Sequence, residues 1–289
     1  MMNVHELCDS VPVPASFPGV YARARWLLDD PHVTKENLLE VLACDPTTLA
    51  RLLAVANELH RRSGGVGSVA DPNEVARFID IDHIRTIVAT GAIIDVFEHV
   101  GENFVDMQNF WQHSICSALA AEILALACGQ DPQPLYIAGL LHDIGQLIIY
   151  QAEPEKARKV LMHASESYRY RAEKEVLGIT HAEVGAELAR RMHLSASLQD
   201  TIRFHHEPAL AQHAPIAASI IHLATAIANC VEPSWKMAIT HLDPQVSINP
   251  FAWNSTGLTP AIIEPTLHEI NMRSFEVISI IEPDAFLVY

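Results

Sequence analysis

The sequence is poor in the features that mark secreted and membrane-spanning proteins. Its five cysteines lie far apart and include no Cys-x-x-Cys pair, which favours reduced, buried thiols that act as small hydrophobic side chains. No run approaches the roughly 20 apolar residues of a membrane-spanning helix, and acidic residues stand near the N-terminus where a signal peptide is apolar. We therefore expect a cytoplasmic protein with no membrane partner.

Positive charge is scarce as well. The chain has 19 Lys and Arg against 35 Asp and Glu, for a formal net charge of −16. Phosphate backbones are bound by clustered Lys and Arg, so we expect no nucleic acid partner. In contrast, 49% of the 289 residues are hydrophobic, which is enough for one large globular domain or two modest ones.

Strand signals are also missing. No period-2 pattern followed by a hairpin turn occurs before residue 240, whereas helix signals recur throughout, so the predicted fold class is all-α. Capping chemistry predicts four short N-terminal helices. Thr34 caps residues 35–43, Asp45-Pro46 and Asp71-Pro72 each start a helix, and a fourth runs over 84–97. We expect these helices to form a small bundle that ends at a seam near residues 101–103.

From about residue 104 the helices become longer and contain histidines. One predicted helix has a buried stripe at Trp111, Ile115, Leu119, Ile123 and Leu126. A later run over 136–150 is almost entirely apolar, and His142-Asp143 interrupts it. A buried ionised carboxylate is costly unless it is paired or bound to a cation. A local Asp–His hydrogen bond would satisfy both groups, and so would a metal ion.

Further histidines favour the metal. His181 opens an amphipathic helix, and His205-His206 closes the next one. A single histidine is more often structural than a ligand, but imidazoles and a carboxylate from four helices form a set that suits Fe, Mn, Zn or Ni. We predict one or two metal ions and no organic cofactor. The predicted ligands are His113, His142, Asp143, His181, His205 and His206.

These residues also carry a family resemblance. Their order resembles the ligand series of the HD phosphohydrolase superfamily, above all its HD-GYP branch, and Gly139-Leu-Leu-His-Asp-Ile-Gly145 is the centre of the match. The surrounding motifs resemble the HDOD (HD-related output domain) proteins more specifically. They are Val13-Pro14, Asp45-Pro46 with Ala56-Asn57, Trp111-Gln-His-Ser114, and Glu173 to Gly178 before His181-Ala-Glu-Val-Gly185. The resemblance covers residues 8–230 and implies a helical HD-like lobe in a mostly non-catalytic family.

The departures from the hydrolase pattern bear on activity. Where superfamily hydrolases have a final Asp ligand, this chain has Thr225, and Gln146 stands where active HD-GYP enzymes have Lys. The Gly-Tyr-Pro loop is absent, since His206 is followed by Glu207-Pro208. A two-metal mechanism needs charge stabilisation that these changes weaken. We therefore assign no catalytic residue, and His142 and Asp143 are the candidates if chemistry survives.

Three regions are expected. They are an N-terminal helical lobe over 1–101, an HD-like lobe with the metal pocket over 102–235, and a C-terminal helical extension over 236–289 that packs on the HD-like lobe. In the extension, Thr259-Pro260 is predicted to start a helix with an apolar face at Ile262, Ile263, Leu267, Ile270 and Phe275. Residues 277–281 are either its final turn or a short pairing segment.

Two functions remain open. The resemblance implies a signal-transduction module with a degenerate metal pocket and a protein partner in a signalling pathway, and such modules are expected to dimerise. The alternative is a metal-dependent phosphohydrolase that acts on a phosphate ester or nucleotide. The remaining histidines show no pattern that assigns them a role.

Overall fold

The computed structural model describes residues 3–11, 16–89, 107–162, 166–231 and 248–281. Within these ranges the chain forms helices and no strands, which confirms the predicted all-α class. The first six helices are α1 (Val4–Ser10), α2 (Pro18–Leu28), α3 (Lys35–Leu42), α4 (Pro46–Arg62), α5 (Pro72–Phe78) and α6 (Ile81–Ala89). The next seven are α7 (Met107–Ala127), α8 (Pro132–Leu141), α9 (Ile144–Ala152), α10 (Pro154–Leu161), α11 (Glu166–Val176), α12 (His181–Arg191) and α13 (Ala196–Phe204). The last three are α14 (Pro215–Ala228), α15 (Pro250–Thr256) and α16 (Ile263–Ile281).

The capping signals place the N-terminal helices well. Thr34 and Asn37 form a reciprocal capping box at the start of α3, and the Asp45 side chain accepts from the Thr48 amide at the start of α4. The prediction of four helices ahead of the 101–103 seam was wrong, because the described residues also form α1 and α2, and Asn3 caps α1 in the same way. The last helix begins at Ile81 and not at Ile84, and its predicted part beyond Ala89 lies outside the described residues, as do Val13-Pro14 and the 101–103 seam.

Helix α7 is the centre of the second half of the fold. Helices α8, α14 and α16 pack against it, and the Trp111 indole donates to the Cys44 carbonyl over 2.9 Å, which joins α7 to the N-terminal helices. The predicted stripe of α7 is right at Trp111, Ile115 and Leu119 but wrong at Leu126, which is 63% exposed. The stripe fails there because Leu126 lies in the last turn of α7, where no described helix covers it.

Helix α7 also qualifies the membrane prediction. Its segment Asn109–Ala127 is long and apolar enough, by length and composition alone, to cross a membrane. The statement that no run approaches that length was therefore too strong. Most of the segment is buried inside the protein, and the core helix of a globular protein meets the same criteria.

The first helix packs far from its neighbours in sequence. Helix α1 contacts α9 and α12. The Cys8 thiol lies 3.9 Å from the Val184 carbonyl, and Arg191 pairs with Asp9 over 2.6 Å. The half-buried interface between α1 and α12 is closed by His5, whose ring nitrogen lies 2.9 Å from Glu187. Helix α1, at the start of the described chain, therefore packs against α12, the helix that begins at His181.

The C-terminal helices pack mainly against α7 and α14, and α16 also contacts α2. Helix α15 packs on α14, and α16 packs on α7 and α14. Helix α15 was not predicted. Pro260 begins a short 3-10 turn, and α16 follows it from Ile263. Residues 277–281 are the end of α16, and the side chain of Phe275 lies outside the described set.

The cysteines follow the expectation of burial except at the ends of α7 and α14, and Cys128 after α7 is half-buried. None of the five forms a disulfide, and Cys8, Cys44 and Cys116 are buried. Burial raises the pKa of the Cys44 and Cys116 thiols to about 12. Cys230, expected to be buried, is exposed because it follows the end of α14.

Candidate metal centre

The centre of the site is a break between two helices. Residues 136–150 were predicted as one apolar run, but α8 ends at Leu141 and α9 begins at Ile144, so His142 and Asp143 form the junction. Asp143 has φ −101° and ψ 5°, outside helical geometry. Successive side chains on an ideal helix point about 100° apart, and this does not apply at the junction. The Nε2 atom of His142 lies 3.4 Å from the Asp143 carboxylate, on the same side of the break.

Two glycines let the neighbouring helices approach this junction. A Cβ atom on Gly139 would lie 2.7 Å from the Ser117 carbonyl oxygen of α7, and one on Gly145 would lie 2.1 Å from the His181 carbonyl oxygen of α12. Real Cβ atoms do not come so close to backbone, so any larger residue would push the helices apart. The two glycines of the Gly-x-x-His-Asp-x-Gly motif are thus the contact points with α7 and α12.

His181 is the first residue of α12 and is buried beside two carboxylates. Its Nδ1 atom lies 2.8 Å from Glu173 Oε2, and its backbone N–H donates to the same oxygen over 2.8 Å. Its Nε2 atom lies 3.1 Å from Asp143 Oδ1. A carboxylate hydrogen-bonded to the far nitrogen of a histidine fixes the orientation and tautomer of the ring. Such a carboxylate is a common outer partner of a metal-binding imidazole.

His205 and His206 follow the end of α13. The Nδ1–H of His205 donates to the Ile202 carbonyl over 2.8 Å, so its Nε2 carries the lone pair, 3.7 Å from Asp143. That buried nitrogen makes no hydrogen bond among the described residues. The Nε2 atoms of His206 and His181 lie 3.0 Å apart. Tyr170 of α11 covers the outer side of this pair, with its ring 4.4 Å from that of His206.

His142 and His113 complete the site on the α7 side. His142 is fully buried, and its Nδ1–H donates to the Gly139 carbonyl over 2.7 Å, which leaves Nε2 as the site-facing atom. His113, about one third of the way along α7, has its Nε2 3.9 Å from Asp143 Oδ2. Its ring centre lies 5.3 Å from that of His142.

The structure therefore brings all six predicted residues together. Their ligand atoms form two groups, each within 4.8 Å, and Asp143 belongs to both. One group is Asp143, His181, His205 and His206, and the other is His113, His142 and Asp143. The donors fit a transition metal, since imidazole lone pairs face one carboxylate and a buried acceptor nitrogen lacks a partner. Their role as metal ligands stays a prediction.

The charges are strongly coupled through burial. Burial opposes ionisation of Asp143, but His142 and His181 hold the pKa of its carboxyl well below the ordinary value. Burial likewise disfavours a charged His181, yet Glu173 and Asp143 raise its pKa well above the ordinary value. Burial and the neighbouring imidazoles lower the pKa of both His205 and His206. Without a metal, the two carboxylates on either side of His181 thus favour a proton on its ring.

Three further polar residues, Glu173, Tyr170 and His222, surround the site and are not among the predicted ligands. Glu173 belongs to one of the family motifs, and an acid eight residues before a buried histidine is a usable signal. Tyr170 had no signal of its own. His222 was left unassigned, yet its Nδ1–H donates to the His205 carbonyl over 2.8 Å, and burial lowers its pKa.

The fold and this pocket define an all-helical protein of the HD-like class. The HDOD domain model matches residues 15–208, which is more than half of the chain. The chain therefore belongs to the HDOD family, as the sequence motifs indicated.

Individual relatives agree with the fold. The MmoQ response regulator from Methylococcus capsulatus str. Bath superposes with a TM-score of 0.69 and 20% identity, over 89% of this chain and 98% of that one. An uncharacterized protein of Treponema pallidum (strain Nichols) is 23% identical over 74% of this chain. Ribonuclease Y 1 of Pediococcus pentosaceus is 32% identical over 43% of it. The chain spans only 40% and 18% of the lengths of these last two proteins.

Proposed function

We propose that this chain is a regulatory signal-transduction module whose buried pocket binds one or two transition-metal ions without catalysis. The convergence of five imidazoles on Asp143 supports this more than any other observation. Burying so many polar rings is costly unless a bound ion or a complete hydrogen-bond network compensates. Among the described residues the Nε2 of His205 has no hydrogen-bond partner, which supports an ion that would complete the network.

The proposed metal has a structural role. Its ligands would come from α7, the α8–α9 junction, the start of α12 and the end of α13. An ion that binds only the folded chain adds its binding free energy to the stability of the fold. Fe, Mn, Zn and Ni all suit this mixture of imidazole and carboxylate.

The lack of catalysis rests on two positions. Thr225, which stands where hydrolases have their last Asp, is buried on α14, and its hydroxyl has no hydrogen-bond partner among the described residues. The Gln146 side chain accepts from the Tyr150 hydroxyl over 2.8 Å, so it serves the packing of α9. Neither residue supplies the anionic ligand or the cation that phosphate transfer requires.

The wider role follows from the family. One relative with this fold carries the description of a response regulator. We propose a cytoplasmic module with a protein partner and a homodimeric state. Its regions would be residues 1–101, 102–235 and 236–289, with the first and last resting on the metal-binding lobe as surfaces for partners.

Metal analysis after loading tests this proposal. The chain is dialysed separately against Mn, Fe, Ni and Zn, and bound metal is measured by mass spectrometry for wild type, His181→Ala and His32→Ala. His32 is exposed in the N-terminal part and serves as the control. We expect one or two ions per chain in wild type and in His32→Ala, and a loss in His181→Ala. A wild-type chain that takes up none of the four metals would refute the proposal.

A metal-dependent phosphohydrolase is the second candidate. The observation that favours it is Asp143, which is shared by both groups of ligand atoms and could bridge two ions. Paired ions stabilise the attacking and leaving oxygens of a phosphate ester. The name of the ribonuclease Y relatives gives RNA as the substrate class for this candidate. The chain matches a part of their length.

An assay across phosphate monoesters and diesters, with each metal in turn, separates the two candidates. Turnover in wild type that disappears in both His142→Ala and Asp143→Ala would establish the enzyme. Absence of turnover in a chain that retains its metal would support the regulatory module.

A further inference from the structure

His222 lies between the site and the C-terminal helices. It is on α14, and its Nδ1 atom lies 2.8 Å from the His205 carbonyl oxygen. On the other side of the ring, the backbone N–H of Asn249 donates to Nε2 over 2.9 Å. One imidazole therefore joins the residue that precedes α15 to the turn that carries two predicted metal ligands.

The chemistry of these two partners determines the state of the ring. A backbone carbonyl only accepts and a backbone N–H only donates. His222 must therefore carry its proton on Nδ1 and a lone pair on Nε2, so both ring nitrogens are used. A side chain that cannot both donate and accept at these two points would break one of the bonds.

The carbonyl that accepts from His222 belongs to the peptide bond between His205 and His206. Because this peptide is planar, its orientation sets the directions in which both side chains leave the backbone. The turn follows the end of α13, where backbone groups are no longer held by the helical ladder. The bond from His222 holds this peptide from outside α13.

The other end of the connection is firmly placed. The Asn249 side chain accepts from the Phe251 amide and caps α15. Ala252 is fully buried, and the Ser255 hydroxyl donates to Ser219 over 2.7 Å. Ser219 lies three residues before His222, on the same face of α14. Helix α15 is thus packed along the face of α14 that presents His222.

We propose that His222 is a positioning residue through which residues 248–256 set the metal affinity of the pocket. This inference rests on the proposed metal-binding function. Seating of α15 holds the Asn249 N–H, which fixes His222, which in turn fixes the peptide between His205 and His206. A rearrangement of the C-terminal helices would thereby change metal affinity without touching a ligand.

Matched variants at Asn249 isolate the backbone donor. Asn249→Pro removes the N–H, and the φ of −64° at this position suits proline. Asn249→Ala removes the capping side chain but keeps the N–H. His222→Leu removes both ring bonds, whereas His222→Asn keeps a donor close to the His205 carbonyl. The measured quantity is the metal dissociation constant from competition with a chromophoric chelator.

We expect His222→Leu to weaken metal binding roughly 10-fold, in the range of other outer-sphere changes. Asn249→Pro should weaken it several-fold and Asn249→Ala by less than twofold. The double variant His222→Leu/Asn249→Pro should bind as His222→Leu does, because the two residues act through one connection. Equal affinities for Asn249→Pro and Asn249→Ala, or additive effects in the double variant, would overturn the proposal.

A measurement on the metal-free chain keeps this inference separate from the metal itself. Long-range proton–nitrogen NMR spectra report the ring nitrogens of His205 and His206. We expect these signals to move in Asn249→Pro and to stay in place in Asn249→Ala, with both variants folded as judged by thermal unfolding. A wild type without metal refutes the proposed function, whereas unmoved His205 and His206 signals in Asn249→Pro refute the connection.

Discussion

Asp45 and Asp143 stand at the same place in local structure, directly before a helix, and both are buried, at 3% and 5% exposure. Asp45 accepts from the Thr48 amide over 2.8 Å and from the Phe17 amide over 2.9 Å. Asp143 makes no capping bond to α9 and instead faces the nitrogens of His142 and His181 at 3.4 and 3.1 Å. The Asp45 carboxylate therefore accepts hydrogen bonds from backbone amides, whereas the Asp143 carboxylate faces side-chain nitrogens.

The different partners of Asp45 and Asp143 also separate the pKa values of the two carboxyl groups. Burial raises the pKa of the Asp45 carboxyl to about 6, although amides of Phe17 and Thr48 lower it in part. For Asp143 burial acts in the same direction, but the imidazoles outweigh it. Neutral amides only partly offset the effect of burial on Asp45, whereas the neighbouring imidazoles outweigh it at Asp143. A buried acid beside histidines is thus the better indicator of a site.

The largest effect should come from removing the charge at Asp143. We expect Asp143→Asn to weaken metal binding more than roughly 100-fold, since even outer partners contribute 10- to 100-fold. Asp45→Asn should leave metal affinity unchanged. Calorimetric titration of both variants checks the contrast, and equal losses in the two would show that Asp143 acts only through the fold.

The next effect concerns the pH dependence of stability. Asp45 has a pKa of about 6 in the folded chain against an ordinary value of 3.8, so the folded state holds the proton more tightly. Its contribution to the free energy of unfolding is present below pH 4 and is lost as pH rises through about 6. The difference between wild type and Asp45→Asn should therefore fall by about 2–3 kcal/mol between pH 4 and pH 7.

Denaturant unfolding of both proteins across this range measures that difference. Because Asn is as good a capping residue as Asp, it retains one of the two bonds and adds no titration of its own. A difference that stays constant or increases with pH would contradict the account of Asp45.

The position of Asp143 depends on the close approach of α9 to α12. We expect Gly145→Ala to lower the free energy of unfolding by about 2 kcal/mol, because its Cβ would meet the His181 backbone. A Cβ on Gly185 would lie 3.0 Å from the Ile202 side chain, which can shift, and in ordinary contact with the Gly145 nitrogen at 3.6 Å. The cost of Gly185→Ala should therefore be under about 1 kcal/mol. Chemical denaturation of the metal-free proteins compares them, and equal costs would show that the approach is not limiting.

The smallest effect should arise one step behind the site, at Glu173. Glu173→Gln keeps the shape but loses the charge that orients His181, and we expect roughly a 10-fold loss of metal affinity. Glu175, exposed on the same helix, gives the control variant Glu175→Gln. A loss common to both variants would indicate a general effect of charge on α11.

Most of the secondary structure could be predicted, because caps and apolar periodicity are local. Thr34 and Asp45 each predicted a helix start that the structure confirms. Helix α1 was overlooked because a helix of seven residues has little periodicity. The break at His142 was not predicted, because an apolar run that is buried on all sides has the same sequence pattern whether it forms one helix or two.

The six site residues could be named from the chain because buried polar groups in apolar helices need a compensating partner, and because their order matches a family pattern. Their surroundings could not. Apart from Glu173, whose position eight residues before His181 is a signal, the surrounding residues meet the site only through packing. Tyr170 and His222 reach it after α11 and α14 have packed, and side chains brought together by packing leave no spacing in the chain. Composition and local pattern thus establish a helical body with a polar interior. Asp45 caps a helix and Asp143 faces the site histidines. This difference is decided by the groups that the fold packs around each carboxylate, since solvation and charge act through space.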